Sequence, residues 1–152
     1  MIHMRRCLLL LLVGLGMAPA VSSVADIAGY AIVQDDATLK LRHHRIRLAG
    51  IYLPPTGRDC RTDVRPARCA SRAALALEFR ARGRIVCDGE VRNADGTVTA
   101  TCRSREVDLS AYLIEMGWAV ALPDAPFEYK TLERIARDRG RGVWGFQVDT
   151  VR

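Results

Sequence analysis

Two adjacent aspartates, Asp35 and Asp36, and two arginines one residue apart, Arg45 and Arg47, have the most chemistry to offer in this sequence. Paired carboxylates can hold a hard divalent cation, and spaced guanidinium groups suit phosphate or carboxylate. Other readings compete. Asp35-Asp36 also suits a turn in which each side chain bonds its own backbone, and Arg47 is expected to pair across strands with Asp35 or Asp36. His43 and His44 fall in a turn, solvated, with pH sensing or incidental metal binding as the functional alternative. Arg45 and Arg47 alternate with Ile46 and Leu48 in "RIRLAGIYLPP", a strand pattern that breaks at Pro54-Pro55. The loop so delivered contains no acid, histidine or thiol. Its Tyr52 could stack on a ligand or cover a cavity mouth. Arg45, Arg47 and Tyr52 are the candidate binding residues.

The elements that must position these groups are short. Strands are predicted over Ile27–Val33, Thr38–Arg42 and Arg45–Ile51, with polar punctuation at Gln34-Asp35-Asp36 and His43-His44. Residues 54–68 read as irregular. A helix within "CASRAALALEFRARG" stops at Gly83, and strands over Arg84–Val91 and Thr97–Arg103 are joined through "NADG". A second helix, "DLSAYLIEMG", starts at the N-cap Asp108 and ends at Gly117. Ser110 is read as a first-turn residue of this helix, not a nucleophile. A third helix, "FEYKTLERIARDRG", sets Phe127, Leu132, Ile135 and Ala136 at helical spacing, with Trp118 and Trp144 seating the last two helices in the core. Five antiparallel strands with a helix between the third and fourth describe an OB-type β-barrel carrying three α-helices, an α+β fold.

The 152 residues suffice for one domain. "MIHMRRCLLLLLVGLGMAPA" has a basic start, a short apolar run and an Ala-Pro-Ala cleavage signature, which predicts a signal peptide over residues 1–20, cleaved as late as residue 25. The apolar run is too short for a membrane anchor. The expected product is a secreted or periplasmic domain over residues 26–152. Its formal charge falls from +6 to +4 once Arg5 and Arg6 leave. The remaining arginines are scattered, and aromatics are too few for a base-stacking platform.

Cys60, Cys69, Cys87 and Cys102 remain, an even number in an oxidising compartment. Three pairings are possible. Cys87 and Cys102 flank the "NADG" turn symmetrically, although a bulge at Gly96 would shift their register by one. Cys60 and Cys69 then close a small loop. Zinc is the alternative, unsupported by ligand spacing.

Five segments, in order, resemble the staphylococcal nuclease (thermonuclease) family: "VQDDATLKL", "RIRLAGIYLPP", "NADGTVTATC", "VDLSAYLIEMGWAVA" and "YKTLERIARDRGRGVWGF". The family forms are V-x-D-G-D-T-L for the first, R-I-R-L-x-G-I-D-A-P-E for the second and D-R-Y-G-R-x-V-A-x-C for the third. The resemblance implies the OB barrel with three helices, and an ancestry of calcium-assisted phosphodiester hydrolysis. It places the family's metal aspartates at Ala37 and Tyr52, its glutamate at Pro55, its second arginine at Thr97 and a base-contacting aromatic at Leu122. Asp36 replaces a glycine. Only Arg47 matches. No intact catalytic set remains, so the expectation is a domain without nuclease activity or cofactor, binding an anionic polymer (nucleic acid or polysaccharide) or an envelope protein. The alternative is a Ca²⁺-dependent or other divalent-dependent nuclease with an acidic site relocated to Asp35 and Asp36.

Overall fold

The computed structural model describes residues 27–56, 59–61 and 68–145. The expected signal segment and its cleavage point lie outside these residues. Strand β1 (Ile27–Val33) has the predicted bounds. It turns into β2 (Leu39–Leu41), which a two-residue tip at Arg42-His43 joins to β3 (His44–Leu48). Leu39, Leu41, Ile46 and Leu48 all point inward and are buried, as period-two alternation requires.

The predicted third strand does not run on to Ile51. It stops at Leu48, and a two-residue β4 (Ile51–Tyr52) leaves the main sheet to pair with β10 (Val120–Ala121). The reason is Gly50, whose φ of +74° bends the chain where a Cβ would meet the Tyr129 ring at 3.0 Å. The segment read as irregular contains two short arms, β5 (Asp59–Arg61) and β6 (Arg68–Ala70), whose antiparallel register sets Cys60 opposite Cys69.

Helix α1 (Arg72–Arg80) is N-capped by Ser71, whose Oγ accepts from the Ala74 amide, and it ends short of Gly83. Strands β7 (Arg84–Arg92) and β8 (Val98–Ser104) form the second hairpin, with β9 (Val107–Asp108) beside β8. β1 pairs with β7, and β3 pairs with β8 in parallel. That parallel seam closes β1, β2, β3, β7 and β8 into a mixed five-stranded barrel, so the expectation of an all-antiparallel sheet is corrected. The fold is α+β and OB-like.

Helices α2 (Leu109–Glu115) and α3 (Phe127–Asp138) pack on one side of the barrel. Asp108 caps α2, accepting from the Ser110 and Ala111 amides at 2.8 and 3.1 Å, while its other oxygen accepts from the Tyr129 hydroxyl at 2.6 Å. Burial, then this bond and the Asp108 charge, push the Tyr129 phenol well above its ordinary value. Ser110 is fully buried, and its hydroxyl donates to the Ala49 carbonyl, tying α2 to the break between β3 and β4. Phe127 does not join the core as its spacing suggested; it is 82% exposed, while Tyr129 and Ala136 are the buried residues of α3. Helix α3 starts at Phe127 straight after Pro126, and the residues on its first turn divide between core and solvent. Trp118 packs half-buried against the core, and Trp144, also half-buried, lies under the Arg137 guanidinium at 4.1 Å.

Cys87 and Cys102 are fully buried and disulfide-bonded. Near the turn the register pairs Arg92 with Val98, which is one residue out for the cysteines to meet. A second irregularity between Asp88 and Val91 restores it. Two compensating shifts, not a plain hairpin, bring the sulfurs together.

Candidate functional site at the barrel mouth

Two five-residue turns build the mouth of the barrel. In Gln34–Thr38, the Gln34 amide donates to the Thr38 carbonyl and the Ala37 amide to the Gln34 carbonyl. In Asn93–Thr97, the Asn93 and Gly96 amides make the same two bonds. Each turn carries an Asp-x-Thr latch. Asp36 Oδ1 accepts from the Thr38 amide at 3.1 Å and hydroxyl at 2.7 Å, and Asp95 Oδ1 accepts from those of Thr97 at 3.0 and 2.6 Å. The second oxygen of each takes an arginine of β3: Arg45 to Asp36 at 2.6 Å, Arg47 to Asp95 at 2.8 Å.

This corrects the expected pairing of Arg47 with Asp35 or Asp36. Arg45 holds Asp36, and Arg47 reaches across the parallel seam to the other turn. Spacing on one strand does not reveal a partner 48 residues away. The matching D-x-T triads, Asp36-Ala37-Thr38 and Asp95-Gly96-Thr97, were the available signal.

Both carboxyls titrate below the ordinary range. At Asp36, partial burial opposes the charge, but bonds from Thr38 and then Arg45 outweigh it. At Asp95, the Thr97 hydroxyl and amide lead, with Arg47 adding its charge.

Between the first turn and the chain after β3 lies a hollow of ≈ 290 Å³, open on one side. Asp36, Ala37, Thr38, Arg47, Leu48, Ile51, Tyr52 and Leu53 line it. The fold thus gathers Ala37, Arg47 and Tyr52 around one space. Pro55 and Thr97 are not in its walls, and neither is Asp35, whose carbonyl accepts from the Ser71 amide. Tyr52 is 54% exposed at the rim and does not plug the space. Leu122 is half-buried against the core, its amide bonded to the Gly50 carbonyl. Arg45 faces a different hollow of ≈ 280 Å³, shared with Gln34, Lys40, His43 and His44.

The calcium implied by the resemblance does not fit these residues. Calcium takes about six to eight oxygen ligands, carboxylates prominent among them. The hollow offers one carboxylate, Asp36, and both its oxygens are already engaged. Among the described residues, no three His, Cys, Asp or Glu side chains stand together as metal ligands. The arrangement can present one guanidinium and one phenol ring over an apolar floor.

No protein-family model matches the chain, and no curated protein matches it. Among the described residues, no helix is long and apolar enough to cross a membrane.

Proposed function

We propose that this chain is a staphylococcal-nuclease-like domain that has lost phosphodiester hydrolysis and serves as an exported binding module for an anionic group. One observation carries the reading. The hollow beside Arg47 is walled by Ala37 and Tyr52, where the resemblance sets metal-binding acids, and its one carboxylate is locked by Thr38 and Arg45. Hydrolysis of a phosphodiester needs an activated water and neutralisation of charge developing on the phosphate. Arg47 supplies part of the second and nothing here supplies the first. A phosphate, sulfate or carboxylate entering the hollow competes with Asp95 for Arg47 and rests against the Tyr52 ring. Nucleic acid, acidic polysaccharide and an acidic envelope protein all carry such groups.

The test uses the oxidised protein with single- and double-stranded DNA and RNA in Ca²⁺, Mg²⁺ or Mn²⁺. The expected result is no cleavage above the metal-only control. Binding of a single-stranded oligonucleotide and of a polyuronate is expected to weaken with salt and to drop about tenfold in Arg47→Ala, as for loss of a charge-assisted bond. Metal-dependent cleavage abolished by Asp36→Ala would instead establish the relocated acidic site.

A further inference from the structure

The outward face of β1 carries Tyr30 and Ile32, two residues apart and 81% and 61% exposed. Strand register surrounds them with cations: Tyr30 lies opposite Arg84 on β7, Ile32 opposite Lys40 on β2, and Lys40 opposite Arg45 on β3. Arg42 and His43 form the exposed hairpin tip at the end of the same surface. Lys40, Arg42 and Arg84 are exposed and make no ion pair among the described residues, whereas Arg45 is held by Asp36. Adjoining them is the second hollow, walled by Gln34, Lys40, His43, His44 and Arg45, with no acid in its lining.

Like charges directly opposite on neighbouring strands destabilise a sheet. Asp36 offsets that repulsion at Arg45, but Lys40, Arg42 and Arg84, exposed around two outward apolar side chains, are poor choices for a face that meets only water. They suit a surface that is both anionic and oily. We propose that this face docks on a bilayer of anionic phospholipid, with Tyr30 and Ile32 reaching the headgroup–acyl boundary. Lys40, Arg42 and Arg84 meet lipid phosphates, and the second hollow receives a headgroup phosphate. Aromatic rings favour that interfacial depth, and basic side chains near an anionic leaflet each strengthen binding by about fivefold.

The face lies on the outside of a closed barrel and is convex. Single-stranded nucleic acid calls for a groove and several stacking rings; here there is one ring beside an aliphatic chain. The hollow at the barrel mouth shares no lining residue with the second hollow, although Arg45 and Arg47 stand on the same side of β3 and Asp36 links the two.

Vesicle flotation of the processed, oxidised protein tests it, with phosphatidylglycerol–phosphatidylcholine vesicles against phosphatidylcholine alone. Wild type is expected to float only with the anionic vesicles. Tyr30→Ser with Ile32→Ser is expected to weaken binding about tenfold. Lys40→Glu, Arg42→Glu and Arg84→Glu together should weaken it at least about 100-fold, while Arg92→Glu, Arg134→Glu and Arg139→Glu, the same charge change elsewhere, should have far less effect. Circular dichroism confirms that each variant is folded. Equal binding to both vesicle types, an unchanged affinity without Tyr30 and Ile32, or equal losses in the two charge-reversal sets would each overturn the proposal. So would full displacement from vesicles by single-stranded DNA at equal phosphate concentration.

Discussion

The two mouth turns, Gln34–Thr38 and Asn93–Thr97, share their backbone bonds, their Asp-x-Thr latch and their grip on an arginine of β3. They differ at the fourth residue. Gly96 takes its positive φ of 80° in the open, whereas Ala37 takes φ 63° while 2% exposed against the hollow. A left-handed conformation costs an L-residue roughly 1–2 kcal/mol, so turn chemistry alone would choose glycine at both. The methyl of Ala37 is there because it is packed. They differ in bracing too: the Asn93 side chain donates to Thr97 and Thr99, while Gln34 reaches only the Ile32 carbonyl. The strands they join also differ, since the first hairpin keeps one register and the second slips between Asp88 and Val91. The same turn therefore serves a packed mouth on one side and a disulfide alignment on the other.

The sharpest way to break this comparison is Gly89→Val, which keeps the residue count but disfavours the φ of +66° on which the bulge depends. Without the compensating bulge, Cys87 moves off Cys102, and two free thiols should be titrated by alkylation and mass spectrometry. Loss of a disulfide across a separation of 15 residues should lower stability by about 3 kcal/mol. An intact bond at unchanged stability would show that the bulge does not set the register. A smaller effect separates the turns themselves. Gly96→Ala should cost about 1 kcal/mol by denaturant unfolding, whereas Ala37→Gly should change stability by less than about 0.5 kcal/mol, backbone relief offsetting the lost buried methyl. A strongly stabilising Ala37→Gly would mean that the methyl contributes no packing.

The smallest effect is on pH. Both latch carboxyls are depressed below their ordinary value of 3.8. Their contribution is therefore complete above that value and lost as pH falls through the lower folded-state pKa values. Asp36→Asn and Asp95→Asn should each flatten the acid limb of a stability–pH curve by losing a contribution present at neutrality, small because both pairs are largely exposed, and should converge with wild type at low pH.

The local pattern carried much of this architecture. Alternation placed β1 with its observed ends, Asp108 announced α2, and the D-x-T spacing stood in plain view. Non-local features left no such trace. Nothing near Ile46 announces that it will pair in parallel with Val98. The break at Gly50 was hidden because Ala49-Gly50 sits among apolar residues that continue the strand rhythm. Around the hollow, Ala37, Arg47 and Tyr52 were legible as a group only through resemblance to a known pattern. Which aspartate each arginine would take depended on a seam between distant strands, so the pairing inferred from proximity along the chain was the one that failed.

That seam also dictates order in time. Ile27 must find Cys87 and Ile46 must find Val98 before any barrel exists, so a growing chain stays unclosed until its second hairpin has emerged. Early on, the first hairpin can offer its apolar side to no partner but water or a chaperone. Closure of the barrel therefore waits on residues as far along the chain as Val98 to Ala100.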